Sequence, residues 1–260
     1  MANKVVKFGG SSLADANQFR KVADIIKSDA KRKFVVPSAP GKRFSEDIKI
    51  TDMLYKCSEL AGSGMDFSED FQIIKDRYNG IISELGIDMS LEEEFDAIVK
   101  ELKARPSRDF AGSRGEYLNG KVLAKYLGFN FVDAGNVIVF DTKGMLLLDE
   151  TVKAVRNALK NLDNAVIPGF YGRTTEGYIK TFSRGGSDVT GSIIANAVKA
   201  EIYENWTDVS GFLVADPRIV DNPDVIEVIT YRELRELAYM GASVLHEDAI
   251  FPVRSAGIPI

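Results

Sequence analysis

The sequence predicts an α/β fold in which a mostly parallel sheet is sandwiched by helices. Two observations carry the prediction. Short apolar strand patterns and amphipathic helical patterns alternate along nearly all 260 residues, the signature of crossover-connected parallel strands. Glycine-rich turns also stand where strand patterns give way to helical ones.

The elements follow in order. Val5, Val6 and Phe8 make a first strand, and Gly9-Gly10-Ser11-Ser12 reads as a tight turn and helix start. Phe19, Val22, Ala23, Ile25 and Ile26 recur at helical spacing. Phe34-Val35-Val36 is a second strand, stopped by Pro37 and Pro40, and 41–48 is a charged loop. Thr51 is placed to cap a helix carrying Met53, Leu54, Cys57 and Leu60. Helical patterns cover about 67–84 and the stretch of Leu91, Phe95, Ile98, Val99 and Leu102, with charged faces read as solvated. A helix is expected at 113–127, strands near 130–133 and 137–140, and a helix at about 149–161. Residues 165–170 read as a buried strand ending in a turn, and Tyr178 to Phe182 as a hairpin arm. A helix over 187–199, a strand over 201–206 and helices at about 230–240 and 242–250 follow. Residues 257–260 look like the start of another strand, as in a fragment of something longer.

Composition bounds the function. The chain is 45% hydrophobic with a net charge of -5, so it has no global attraction to nucleic acid or acidic membranes. Any anionic substrate must be held by local positive groups. One cysteine excludes an internal disulfide, and the N-terminus carries no long apolar segment. A reducing cytoplasm is therefore the expected setting, with no membrane span. Cys57 reads as a buried core thiol and His246, the single histidine, as structural. Zinc chemistry and Ser–His or Cys–His triads have no residue set to rest on.

Four segments carry chemical signals. Lys7-Phe8-Gly9-Gly10-Ser11-Ser12 sets glycines and a lysine at a strand end, where backbone N–H groups can hold an anion. A plain glycine turn with a surface lysine is the alternative. Ser183-Arg184-Gly185-Gly186-Ser187-Asp188 repeats the pattern before a helix. Arg184 offers a planar fork for a carboxylate. Asp188 is an acid in a positive site, placed to hold a lysine, sit near a metal or cap the helix. Trp206-Thr207-Asp208-Val209-Ser210-Gly211 and Asp216-Pro217-Arg218 put polar residues beyond a strand end, where open α/β sheets bind ligands. Ser113-Arg114-Gly115-Glu116-Tyr117-Leu118 holds a lone acid suited to an ammonium. Its continuation GEYLNGKV is a near miss to a P-loop, rejected because Val122 replaces the required hydroxyl and the stretch is helical.

With VIPGFYG (166–172) and LAYMGASVLHEDAI (237–250), these blocks in this order resemble the aspartate kinases of the amino acid kinase family, from first strand to last residue. The resemblance implies a three-layer α/β/α sandwich, with about 1–165 binding the amino acid and about 166–260 the nucleotide. It implies ATP with Mg²⁺ as phosphoryl donor and L-aspartate as acceptor, giving 4-phospho-L-aspartate on the way to lysine, threonine and methionine. On it, Lys7 and Asp188 are catalytic, and Gly9, Gly10 and Ser11 line the phosphoryl path. Thr51, Glu116, Arg184 and Ser187 bind aspartate, with Glu116 facing the ammonium and Arg184 the α-carboxylate. Thr207, Asp208, Asp216, Arg218 and Ser243 lie at the nucleotide. A homo-oligomer is left open. Departures are Ser243 where the family usually has lysine, Leu213 where tyrosine is common, Glu247 where proline follows the histidine, and a long loop before Thr51. The resemblance implies the catalytic domain alone, and the regulatory ACT region that follows in family members is expected to be absent from these residues. The rivals are a kinase for glutamate, acetylglutamate or a nucleotide, and a sensor without turnover.

Overall fold

The computed structural model describes residues 3–183, 185–207, 211–215, 219–239, 245 and 247–260. Its centre is a five-stranded, wholly parallel sheet. The strands are β1 (Lys4–Phe8), β2 (Arg32–Pro37), β3 (Asn130–Phe131), β5 (Ala165–Val166) and β8 (Ile202–Trp206), in the order β3-β5-β2-β1-β8. A smaller sheet adds β4 (Val139–Phe140), β6 (Tyr171–Thr174) and β7 (Ile179–Thr181), in which β6 and β7 form the expected antiparallel hairpin.

Side chains alternate across a strand, and this explains the two hydrophobic cores. Val6, Phe8 and Val35 face α1 (Ala16–Lys27), α2 (Ile50–Gly62), α3 (Ser68–Leu85), α4 (Glu92–Ala104) and α5 (Arg108–Leu127). Val5, Phe34 and Val36 face the other way, onto α6 (Leu148–Leu159), α7 (Gly186–Val198), α8 (Tyr231–Tyr239) and α9 (Glu247–Ser255). The expected three-layer sandwich is therefore the fold. Among the described residues no helix is long and apolar enough to cross a membrane.

Several local expectations are corrected. Regular helix does not start at the first glycine turn. A short 3-10 turn (Ser11–Leu13) follows the glycines, and α1 begins only after Asp15, whose side chain accepts the Gln18 N–H at 2.9 Å. Thr51 is not a cap, because Lys49 holds the N-cap position of α2 with no side-chain hydrogen bond. α5 starts five residues before Ser113, capped by Ser107 (Phe110 N–H to Oγ, 3.2 Å). The SRGEYL block thus lies mid-helix, buried on nearly all sides. Ser187 and Asp188 do not cap α7 by side chain; Gly185 holds that place with φ +56°. Residues 258–260 form no strand, although the Tyr203 N–H donates to the Pro259 carbonyl at 2.9 Å.

Candidate active site

Period-2 alternation puts Lys7 on the α7 face of β1, opposite Asn205 of β8 in parallel register. The first turn of α7 delivers Asp188 to the same point. Lys7 Nζ lies 2.7 Å from Asp188 Oδ1, and Asn205 Nδ2 donates to that oxygen at 3.2 Å. The Tyr203 hydroxyl donates to the Asp188 carbonyl at 3.1 Å, fixing the start of the helix from below. Lys7 is 8% exposed, and its ammonium sits 3.7 Å from where a Cβ on Gly9 would lie. The cation is therefore held immediately behind the glycine turn.

That turn faces a second one. The Gly41 N–H donates to the Gly10 carbonyl at 2.8 Å. A Cβ on Gly10 would lie 2.8 Å from the Ala39 carbonyl oxygen, and one on Gly41 would lie 2.6 Å from the Gly10 carbonyl carbon. Gly10 has an ordinary helical φ of -64°, so close approach and not a left-handed backbone demands the glycine. α5 comes equally close, since a Cβ on Gly115 would lie 2.7 Å from the Ala39 methyl. Asn119 Nδ2 secures the contact by donating to the Ser38 carbonyl at 2.7 Å.

Between the two turns opens a cleft of about 610 Å³. Gly9, Gly10 and Ser11 line one side and Lys42, Arg43 and Phe44 the other, with Thr51, Glu116 and Thr207 completing it. Glu116 is the group out of balance. It is 5% exposed, and its Oε2 is buried with no hydrogen-bond partner among the described residues. Burial pushes its carboxyl up to about 8; donation by the Ala39 N–H and its own backbone N–H, and the nearby Arg114 charge, offset only part of that. A buried acid at the edge of a cleft, short of one partner, is what a ligand cation would complete.

A second cleft, of about 650 Å³, shares Thr207 with the first. Tyr203, Asn205, Trp206 and Phe212 are among its lining residues. Trp206 is half-buried and stacks on Phe8 at 6.1 Å, so it serves the core and also borders this cleft.

The sequence-derived residues thus fall into groups. Gly9, Gly10, Ser11, Thr51, Glu116 and Thr207 share one cleft, and Lys7 and Asp188 pair behind it. Ser187 is buried in the first turn of α7, where a Cβ on Gly169 would strike its Oγ at 2.5 Å, so it packs on the turn after β5. Arg184, Asp208, Asp216, Arg218, Ser243 and His246 lie outside the described residues. Sequence reasoning missed Asn205, whose only signal is a polar residue in the strand pattern IYENW. It also missed the turn Ser38–Gly41 as a wall, although its Pro-x-x-Pro-Gly spacing was visible. Among the described residues no group of three or more His, Cys, Asp or Glu is arranged to hold a metal.

Parallel strands ending in glycine turns, with a lysine and an acid paired at their ends, make an α/β architecture suited to small anions. The sequence profile of the amino acid kinase family matches residues 3–260, and the chain belongs to that family. It is 40% identical to Aspartokinase 3 of Bacillus subtilis (strain 168) across 99% of this chain and 60% of that protein. It superposes on the crystal structure of Clostridium acetobutylicum aspartate kinase with a TM-score of 0.94 at 56% identity, over 98% of this chain and 58% of the other. Against Escherichia coli aspartokinase III in complex with aspartate and ADP, the TM-score is 0.83 at 26% identity, over 98% and 60% of the two chains. The chain thus spans about 60% of the length of these relatives.

Proposed function

We propose that this chain transfers the terminal phosphoryl group of ATP to the side-chain carboxylate of L-aspartate, giving 4-phospho-L-aspartate and ADP. The observation that carries the reading is Glu116, a buried carboxyl with an oxygen unpartnered among the described residues, in the cleft that the glycine turn backed by Lys7 also lines. An amino acid bridges those two needs: its ammonium meets Glu116 while its acidic side chain reaches the turn. Thr51 supports the amino acid, Arg184 takes its α-carboxylate, and Ser187 contributes from the start of α7.

The chemistry suits these residues. A carboxylate with an ordinary pKa of about 4 is ionised at neutral pH and needs no general base. The barrier is repulsion between anions, roughly 4 kcal/mol for two unit charges ~4 Å apart at an effective dielectric of 20. A side-chain oxygen of aspartate forms a bond to the terminal phosphorus as the bond to the ADP oxygen breaks, and the electron pair leaves with ADP. Lys7 stabilises the charge on the transferring group, and Asp188 and Asn205 orient it. Gly9, Gly10 and Ser11 bring backbone N–H groups to the phosphoryl path. The part from about residue 166 holds the nucleotide through Thr207, Asp208, Asp216, Arg218 and Ser243 and lends Arg184 and Ser187 to aspartate, which the part up to about 165 otherwise holds. Mg²⁺ would arrive on the nucleotide, held largely by phosphate oxygens and water, and would lower the charge of the triphosphate. The E. coli relative, solved with aspartate and ADP, supports the pairing of substrates. No nucleic-acid or membrane partner enters this reading; the cytoplasm is the compartment, and a homo-oligomer is compatible with it.

The test is a substrate panel. With MgATP, ADP release should require L-aspartate and should be negligible with glutamate, acetylglutamate or no acceptor. Acetylglutamate has no free ammonium for Glu116, so turnover on it would overturn the reading. Aspartate binding without turnover would establish a sensor instead.

A further inference from the structure

Arg77 stands in the middle of α3, on a helix whose charged face the sequence assigns to solvent, yet its side chain is 4% exposed. Of its three acceptors Gly41 lines the cleft, and Ala14 and Asp47 lie within three residues of Ser11 and Ser45, which line it too. Nη2 donates to the Gly41 carbonyl at 2.7 Å, Nε to the Ala14 carbonyl at 3.2 Å, and Nη1 lies 2.8 Å from Asp47 Oδ2. Ala14 directly follows the 3-10 turn after the first glycines, and Gly41 is the residue whose N–H holds the Gly10 carbonyl. Asp47 is gripped as well by the Arg43 N–H at 2.9 Å and the Arg43 guanidinium at 2.8 and 2.9 Å. Lys42, Arg43, Phe44 and Ser45, the segment so tied down, line the cleft opposite Gly9–Ser11.

We propose that Arg77, acting through Asp47 and Gly41, is a positioning residue that sets the width of the cleft and holds the 42–45 wall over the amino-acid end. It touches neither substrate, and the inference rests on the reading of this cleft as the aspartate site. A buried guanidinium whose partners among the described residues are two backbone carbonyls and one loop carboxylate serves the loop's placement. The α3 core is built separately from Phe71, Ile74, Tyr78 and Ile81.

Asp47→Asn is the cleanest probe, since it keeps size and leaves both carbonyl acceptors of Arg77 in place. Arg77→Lys is the second, because an ammonium's three donors spring from one nitrogen and cannot span acceptors that the guanidinium reaches from three. Two readouts are needed: steady-state kinetics with aspartate and MgATP, and the rate at which trypsin nicks the native chain after Lys42 and Arg43. Both variants should raise the KM for aspartate by about tenfold, the scale of one lost charge-assisted contact, while kcat changes by less than about twofold. Nicking should accelerate in parallel. An unchanged KM in both variants, or equal losses in kcat and in the affinity for both substrates, would reduce Arg77 to a brace of stability and overturn the proposal. A wild-type chain without turnover on aspartate would sink the substrate reading instead, and the clamp would then be judged on nicking alone, with unchanged rates refuting it.

Discussion

Glu116 has the most to say at the scale of the residue. With its carboxyl pushed up to about 8 by burial, Glu116 is protonated at neutral pH until a cation pairs with it. An ammonium needs the ionised form, so aspartate binding should expel a proton. Affinity should therefore rise with pH by up to about tenfold per unit below pH 8 and level off above it. Calorimetry in buffers of different ionisation heat measures the proton, and Glu116→Gln should abolish both the release and the pH slope. The same residue sets a stability trend. Unfolded, it titrates near the ordinary 4.5; folded, near 8. Across that window the unfolded state binds fewer protons, so stability falls as pH rises. Glu116→Gln should remove that fall, roughly a few kcal/mol by pH 7, as urea midpoints at several pH values would register. Lys7→Ala should lower kcat by about 10²-fold or more while changing nucleotide affinity far less, because the proposed reading aims its charge at the transferring group. Asp188→Asn should give a smaller loss, since Asn205 still contacts that side chain.

At the scale of the element, the two glycine turns and α5 form one close-packed joint. Gly41→Ala would place a methyl 2.6 Å from backbone that cannot retreat. It should cost about 1–3 kcal/mol of stability and widen the cleft, read as a lower thermal midpoint together with a raised KM for aspartate. Cys57 marks the inner face of α2. Burial pushes its thiol up to about 12, so alkylation at pH 8 should be negligible in the native chain and rapid after unfolding. Much of this scale was legible in the sequence. Alternating and 3.6-residue patterns encode which side of each element is buried, so β1, α1, β2, the hairpin of β6 and β7, and α7 fall close to their expected places. The start of α1 was legible too but overlooked: Asp15 three residues before Gln18 is a capping signal, which the more conspicuous glycines masked. Arg77 was not legible, because a charged residue on an amphipathic helix looks solvated whether or not distant carbonyls lie over it. Asn205 joins Lys7 only through the register of two strands nearly two hundred residues apart in sequence, which no local pattern records.

At the scale of the whole molecule, one sheet is shared by two cores, so the two helical layers should not unfold separately. Leu54 is buried in one layer and Ile193 in the other. Leu54→Ala and Ile193→Ala should each destabilise by about 2–5 kcal/mol and shift a single cooperative transition; two resolved transitions would show independent layers. The Lys7–Asp188 pair, catalytic in the proposed reading, sits where the layers meet. Lys7 comes from the shared sheet, Asp188 from the helix on one face, and Glu116 from the central helix on the other. A crystal grown with L-aspartate and a non-hydrolysable ATP analogue examines that convergence directly. The aspartate ammonium should lie within hydrogen-bond reach of Glu116, with its side-chain carboxylate and the terminal phosphate meeting at the Gly9–Ser11 turn beside Lys7. Aspartate bound away from Glu116, or a terminal phosphate remote from Lys7, would contradict the assignment.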